Sequence, residues 1–130
     1  MAPVNIKTGQ VQWVDLTIEN ATEIRDFYQA VIGWKPEPVD MDGYEDFNMC
    51  APDEHAPVAG ICHARGVNRK IPPHWLIYIS VSDLDQSVDL CCKLGGKIIS
   101  EPTAMGPHGR FCVIQDPAGA FAALFQPAQP

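Results

Sequence analysis

An aspartate interrupts an apolar strand pattern near the start of the chain. Alternation puts Val14, Leu16 and Ile18 on one face and Trp13, Asp15 and Thr17 on the other. A carboxylate among apolar walls has three uses. It holds a cationic or hydroxyl-bearing ligand, it serves as a base with a raised pKa, or it pairs structurally with Arg110 or a backbone amide. Tyr78 stands at the matching place of a second strand pattern. Its hydroxyl would donate to a ligand or to Asp15, or be satisfied locally in the core. By the same alternation Cys62, Leu76, Phe121 and Phe125 join Trp13, Asp15, Thr17 and Tyr78 on one side. That is an apolar lining with few polar groups, the usual make-up of a small-molecule site. Met105, His108 and Arg110 fall in a Gly/Pro-rich stretch expected at the mouth of this site, with the direction of Arg110 left open.

Other chemistry is thinly represented. The four histidines have no HxH or HExxH spacing, and His63 shares the parity of Ile61, away from the expected cavity. The five cysteines contain no CxxC. Neither Cys62 nor Cys112 has an expected base beside it, so both read as small buried hydrophobes. Reduced thiols in a cytoplasm are expected, with no disulfide framework and no zinc ribbon. A net charge of −7 repels nucleic acid and anionic membranes, and does not disfavour a cationic small molecule. No apolar run is long enough for a membrane helix, and the N-terminus has neither a signal core nor a transit pattern.

The elements that position these residues repeat at an offset of 63. The stretch from Trp13 falls on that from Leu76 without a gap, so Leu16 meets Ile79, Asp26 meets Asp89 and Gly33 meets Gly96. Physical roles repeat too. Each half opens with an alternating strand. Each then has a capping pattern, Asn20 with Glu23 and Asp83 with Gln86. An apolar helical stripe follows, Ile24, Phe27, Tyr28 and Val31, then Leu84, Val88 and Cys91, each closed by glycine. Three strands follow each helix, near 34–40, 45–51 and 57–63, then 97–102, 109–115 and 120–126. The expected class is α+β, one domain over 1–130. Its two tandem βαβββ modules, 11–63 and 74–127, are joined by the linker 64–73. Together they would form a curved eight-stranded mixed sheet around a cavity, helices outside.

The residues DFYQAVIGW (26–34), VQWVDL (11–16), PVAGI (57–61) and GRFCVIQDPAGAFAALFQ (109–126) resemble the vicinal oxygen chelate superfamily. Glyoxalase I, extradiol dioxygenases and bleomycin resistance proteins belong to it. The resemblance covers about residues 11–127 and implies this fold. It also implies metal ligands on the first and last strand of each module, which here are Trp13, Gly60, Leu76 and Ala123. None is an imidazole, carboxylate or similar donor. The W-x-[DE]-L pattern resembles a metal-free branch, so no metal and no cofactor are expected.

Two functions follow from this reading. One is a metal-free cup binding a small hydrophobic or cationic molecule. The other is a metal-independent isomerase or lyase with Asp15 as base and Tyr78 as hydrogen-bond donor. A homodimer is expected, since the edges of such a sheet need cover.

Overall fold

A computed structural model describes residues 7–128. The chain is α+β. In order it runs β1 (Val11–Ile18), α1 (Ala21–Ile32), β2 (Lys35–Asp40), β3 (Glu45–Cys50) and β4 (Pro57–His63). Then come β5 (Trp75–Ser80), α2 (Leu84–Lys93), β6 (Lys97–Ala104), β7 (Gly109–Gln115) and β8 (Phe121–Pro127). Short 3-10 turns lie at Gly66–Asn68, in the linker, and at Gly106–His108. The chain divides into two compact units. One is Trp13–Trp75, which takes in the linker; the other gathers Leu76 onward with the residues before Trp13.

Each unit carries the same sheet. The first has strand order β2-β3-β4-β1, the second β5-β8-β7-β6. In each, the opening strand runs parallel to the last strand and the others pair antiparallel. The registers repeat as well. Asp15 pairs with Gly60, Leu16 with Ile61 and Thr17 with Cys62. At the 63-residue offset, Tyr78 pairs with Ala123, Ile79 with Leu124 and Ser80 with Phe125. The repeat read from the letters is therefore a repeat of hydrogen-bonded pairs.

In the first unit α1 covers the face holding Phe47, Met49 and Ile61, with Ala21 from the helix, and Ile18, Tyr28, Trp34 and Trp75 around them. The three rings of Tyr28, Trp34 and Trp75 meet at centroid distances of 5.3–5.9 Å. Trp75 Nε1 donates to the Tyr28 hydroxyl. The helix stripe departs from expectation. Phe27 is 53% and Val31 64% exposed, so neither covers the sheet. The helix is rotated so that Ala21 and Tyr28 face inward, and the Arg25 guanidinium lies 4.6 Å from the Phe47 ring centroid. In the second unit, Ile77 of β5 is likewise 39% exposed.

The caps differ between modules. Asp83 accepts from Gln86 N at 3.1 Å, as its pattern predicts. Asn20 makes no side-chain cap bond, so the expected first capping box does not form. Gly33 ends α1 with φ +88, a left-handed conformation glycine adopts without strain.

Candidate functional site

The Asp15 face lies opposite α1. Leu16 shares a rung with Ile61, and Ile61 with Phe47, on the helix-covered side. Asp15 and Thr17 are thereby turned to the other side, where they are 5% and 2% exposed. Trp13 and Gly60 meet there. A Cβ on Gly60 would lie 3.3 Å from Trp13 Cζ2 and 3.1 Å from Asp15 Cβ. A side chain larger than glycine there would need the indole and the aspartate to give by a few tenths of an ångström.

Cys62 and Asp46 complete this face. Burial pushes the Cys62 thiol well above its ordinary value, and the Asp15 and Asp46 carboxylates push it further. Asp46 also accepts a hydrogen bond from this thiol. Cys62 is therefore a protonated, inert thiol, as its sequence setting led one to expect. Asp46 is 8% exposed, and its Oδ1 accepts from the His63 backbone N–H at 2.8 Å. The His63 ring contributes Nδ1 at 3.2 Å from the same oxygen. Its ring packs against Tyr44 and Phe47. Asp46 was not among the residues singled out by sequence. The signal that finds it is the β3–β4 register, which extends from Phe47–Ile61 to set Asp46 beside Cys62.

In the second unit Leu76, Tyr78 and Phe125 are 0%, 2% and 2% exposed, and Phe121 is half-buried. The Tyr78 ring lies 6.1 Å from that of Phe111, which pairs with Phe125. Phe111 is a further member of this apolar face. Arg110, whose direction was open, goes to the α2 side. Its Nη2 donates to Asp85 Oδ1 at 3.0 Å, in the first turn of α2. That pairing raises the guanidinium pKa and lowers that of the Asp85 carboxyl, with both groups exposed. His108 is exposed in the Gly106–His108 turn, and Met105, half-buried, precedes it. Asp15 and Tyr78 thus belong to separate units, each on the face its strand parity dictates.

The positions to which the resemblance assigns metal ligands hold Trp13, Gly60, Leu76 and Ala123. Trp13 and Gly60 fill theirs with an indole over a bare backbone, and Leu76 and Ala123 are fully buried hydrocarbons. Among the described residues no three His, Cys, Asp or Glu side chains are grouped to hold an ion.

Thiol chemistry gives a first expected result. Burial, chiefly, raises the Cys112 thiol from 9.0 to about 11. The folded state therefore keeps this proton to higher pH than the unfolded chain does. The resulting stability is complete below about pH 9 and disappears as pH rises to about 11. Melting curves across this window should fall more steeply for the wild type than for Cys112→Ala. Iodoacetamide at pH 8 should label exposed Cys92 while Cys62 and Cys112 stay unmodified until the protein unfolds.

The comparisons with known proteins agree with this fold. The family model of the Glyoxalase/Bleomycin resistance protein/Dioxygenase superfamily matches residues 10–123, and the chain belongs to that superfamily. It is 37% identical over 112 residues to the anthracycline biosynthesis protein DnrV of Streptomyces peucetius, covering 86% of this chain and 39% of DnrV. It is 26% identical over 104 residues to a glyoxylase-like domain-containing protein of Didymella fabae, covering 77% of this chain and 79% of that protein. The chain thus spans well under half of DnrV. Methylmalonyl-CoA epimerase from Mycobacterium tuberculosis superposes with a TM-score of 0.53 at 20% identity, over 99% of this chain and 94% of that one. That likeness is one of fold. Among the described residues no helix is long and apolar enough to cross a membrane.

Proposed function

We propose that this chain is a small-molecule-binding protein whose Asp15 face receives a hydrophobic, cationic ligand without the help of a metal. The carrying observation is Asp15 itself, a carboxylate 5% exposed between an indole and a thiol that it helps keep protonated. A cation stacked on the Trp13 indole beside the Asp15 carboxylate would gain from both the ring face and the charge. The acidic net charge draws such a ligand in. The relative named for anthracycline biosynthesis supports an aromatic compound as the ligand class. The four donor-free metal positions support the metal-independent reading.

A thermal-shift screen tests this. Aromatic amines and an anthracycline should raise the melting temperature, because a ligand bound only by the folded state stabilises it. Anionic aromatics of like size should not. Zinc, nickel or manganese should leave the midpoint unchanged, as should EDTA. A rise with a divalent metal would overturn the metal-free reading.

We further propose a homodimer, in which a second copy covers the α1 stripe of Phe27, Val31 and Ile32. DnrV carries more than twice the matched length in one chain, which supports a second copy here as the occupant. Sedimentation at micromolar concentration should show a dimer, and Val31→Glu should shift it to a monomer. A wild-type monomer would contradict this.

A further inference from the structure

Asp46 and His63 form a pair of titratable groups that the Asp15 reading does not use. Both lie in the first unit, Asp46 near the start of β3 and His63 at the end of β4. One carboxylate oxygen holds His63 twice. Asp46 Oδ1 accepts from the His63 backbone N–H at 2.8 Å and stands 3.2 Å from ring Nδ1. A carboxylate has no proton to give, so the neutral ring carries its own proton on Nδ1 to complete that bond. Nε2 is then left with the lone pair.

Packing fixes the ring in this pose. It meets the Tyr44 ring at 5.6 Å, nearly perpendicular, and the Phe47 ring at 6.3 Å. The His63 side chain still keeps 21% of its surface open, against 12% for Asp46. A buried acid thus orients a partly open imidazole, the arrangement that makes a ring nitrogen a nucleophile. A cation stands next to it. The Arg65 guanidinium lies 4.0 Å from the Tyr44 ring centroid, so Tyr44 touches both the guanidinium and the imidazole. Arg65 forms no ion pair among the described residues. A positive group placed so is suited to a carbonyl oxygen that gains negative charge.

We propose that His63 is the nucleophile of an acyl-transfer site for small activated esters, with Asp46 as its positioning residue and Arg65 as the cation facing the carbonyl oxygen. Nε2 bonds to the carbonyl carbon, and the phenolate leaves with the electron pair of the ester bond. The Nδ1 proton stays on the ring, held by Asp46. Water then takes the acyl group. Its oxygen bonds to the carbonyl carbon, the Nε2–carbon bond breaks back onto nitrogen, and the proton released neutralises the phenolate. This activity stands without a ligand at Asp15.

The probe is 4-nitrophenyl acetate. The full chain should hydrolyse it faster, mole for mole, than N-acetylhistidine at the same pH, with a rate that rises as the His63 ring loses its proton by NMR. His63→Gln should bring the rate down to the buffer background. Asp46→Asn should lower it about tenfold or more, and Arg65→Gln severalfold. His55→Gln, at an exposed histidine, should leave it unchanged. A second measurement needs no variant. Long-range ¹H–¹⁵N correlation in the wild type should find neutral His63 with its proton on Nδ1, although a free imidazole side chain favours Nε2. Asp46→Asn should move that proton toward Nε2. A wild-type rate no faster than N-acetylhistidine overturns the proposal. So does a rate that survives His63→Gln, or a neutral His63 with its proton on Nε2 in the wild type.

Discussion

Asp15→Asn is expected to abolish ligand binding while leaving the fold intact. Asparagine keeps the shape of the side chain and removes its charge. The neighbours that define the site, Trp13, Gly60 and Cys62, would stay where β1 and β4 hold them. A cationic ligand facing a desolvated carboxylate loses about 2–5 kcal/mol when that charge goes. At about 1.4 kcal/mol per decade, that is a loss of roughly 30-fold to several thousand-fold in Kd. The same variant has a readout that needs no ligand. The Asp15 charge helps hold the Cys62 thiol up, so its removal should bring the Cys62 pKa down. The pH dependence of the Cys62 Cβ chemical shift in ¹³C-labelled protein measures this. A Cys62 profile that does not move would mean that Asp15 carries no charge in the folded protein.

Gly109→Ala is the second large effect, on stability rather than binding. Gly109 opens β7 with φ +144, a conformation that side chains rarely adopt. An added Cβ would also overlap the carbonyl oxygen of Gln126 and reach 3.0 Å from Ala128 N. Backbone strain costs about 1–3 kcal/mol. Pushing β8 off β7 adds to it, because Gly109, Arg110 and Phe111 pair with Pro127, Gln126 and Phe125. The expected total is roughly 3–5 kcal/mol, or about 10–20 °C in Tm. Gly106 gives the control. Its φ is +57 with open space around it, so Gly106→Asn should cost little. Calorimetry of the two variants checks both. Equal melting temperatures for Gly109→Ala and wild type would contradict the close β7–β8 approach.

Much of this fold is legible in the letters because it is written twice. Period-two strands, an Asx residue before each helix and a glycine after it recur at one offset, and the structure repeats the same rungs. The side of Asp15 follows from parity alone, since Leu16 and Ile18 must face α1. What is not legible depends on groups distant in sequence. The stripe of α1 looks equally good with Phe27 and Val31 inward, but Arg25 over Phe47 selects another rotation. Arg110 finds Asp85 across a helix–sheet gap that periodicity does not describe. Asp46 becomes a neighbour of Cys62 only through the hairpin register. Gly109 carries a conformation that its letter permits but does not announce.

The central claim is that the Asp15 face binds the ligand. Chemical-shift mapping on the ¹⁵N-labelled chain with the anthracycline, or the strongest aromatic amine from the screen, tests it most directly. The account predicts saturable shifts at the Trp13 indole N–H and at the amides of Asp15, Gly60 and Cys62, all absent in Asp15→Asn. Shifts confined to the linker, or unchanged by Asp15→Asn, would contradict it.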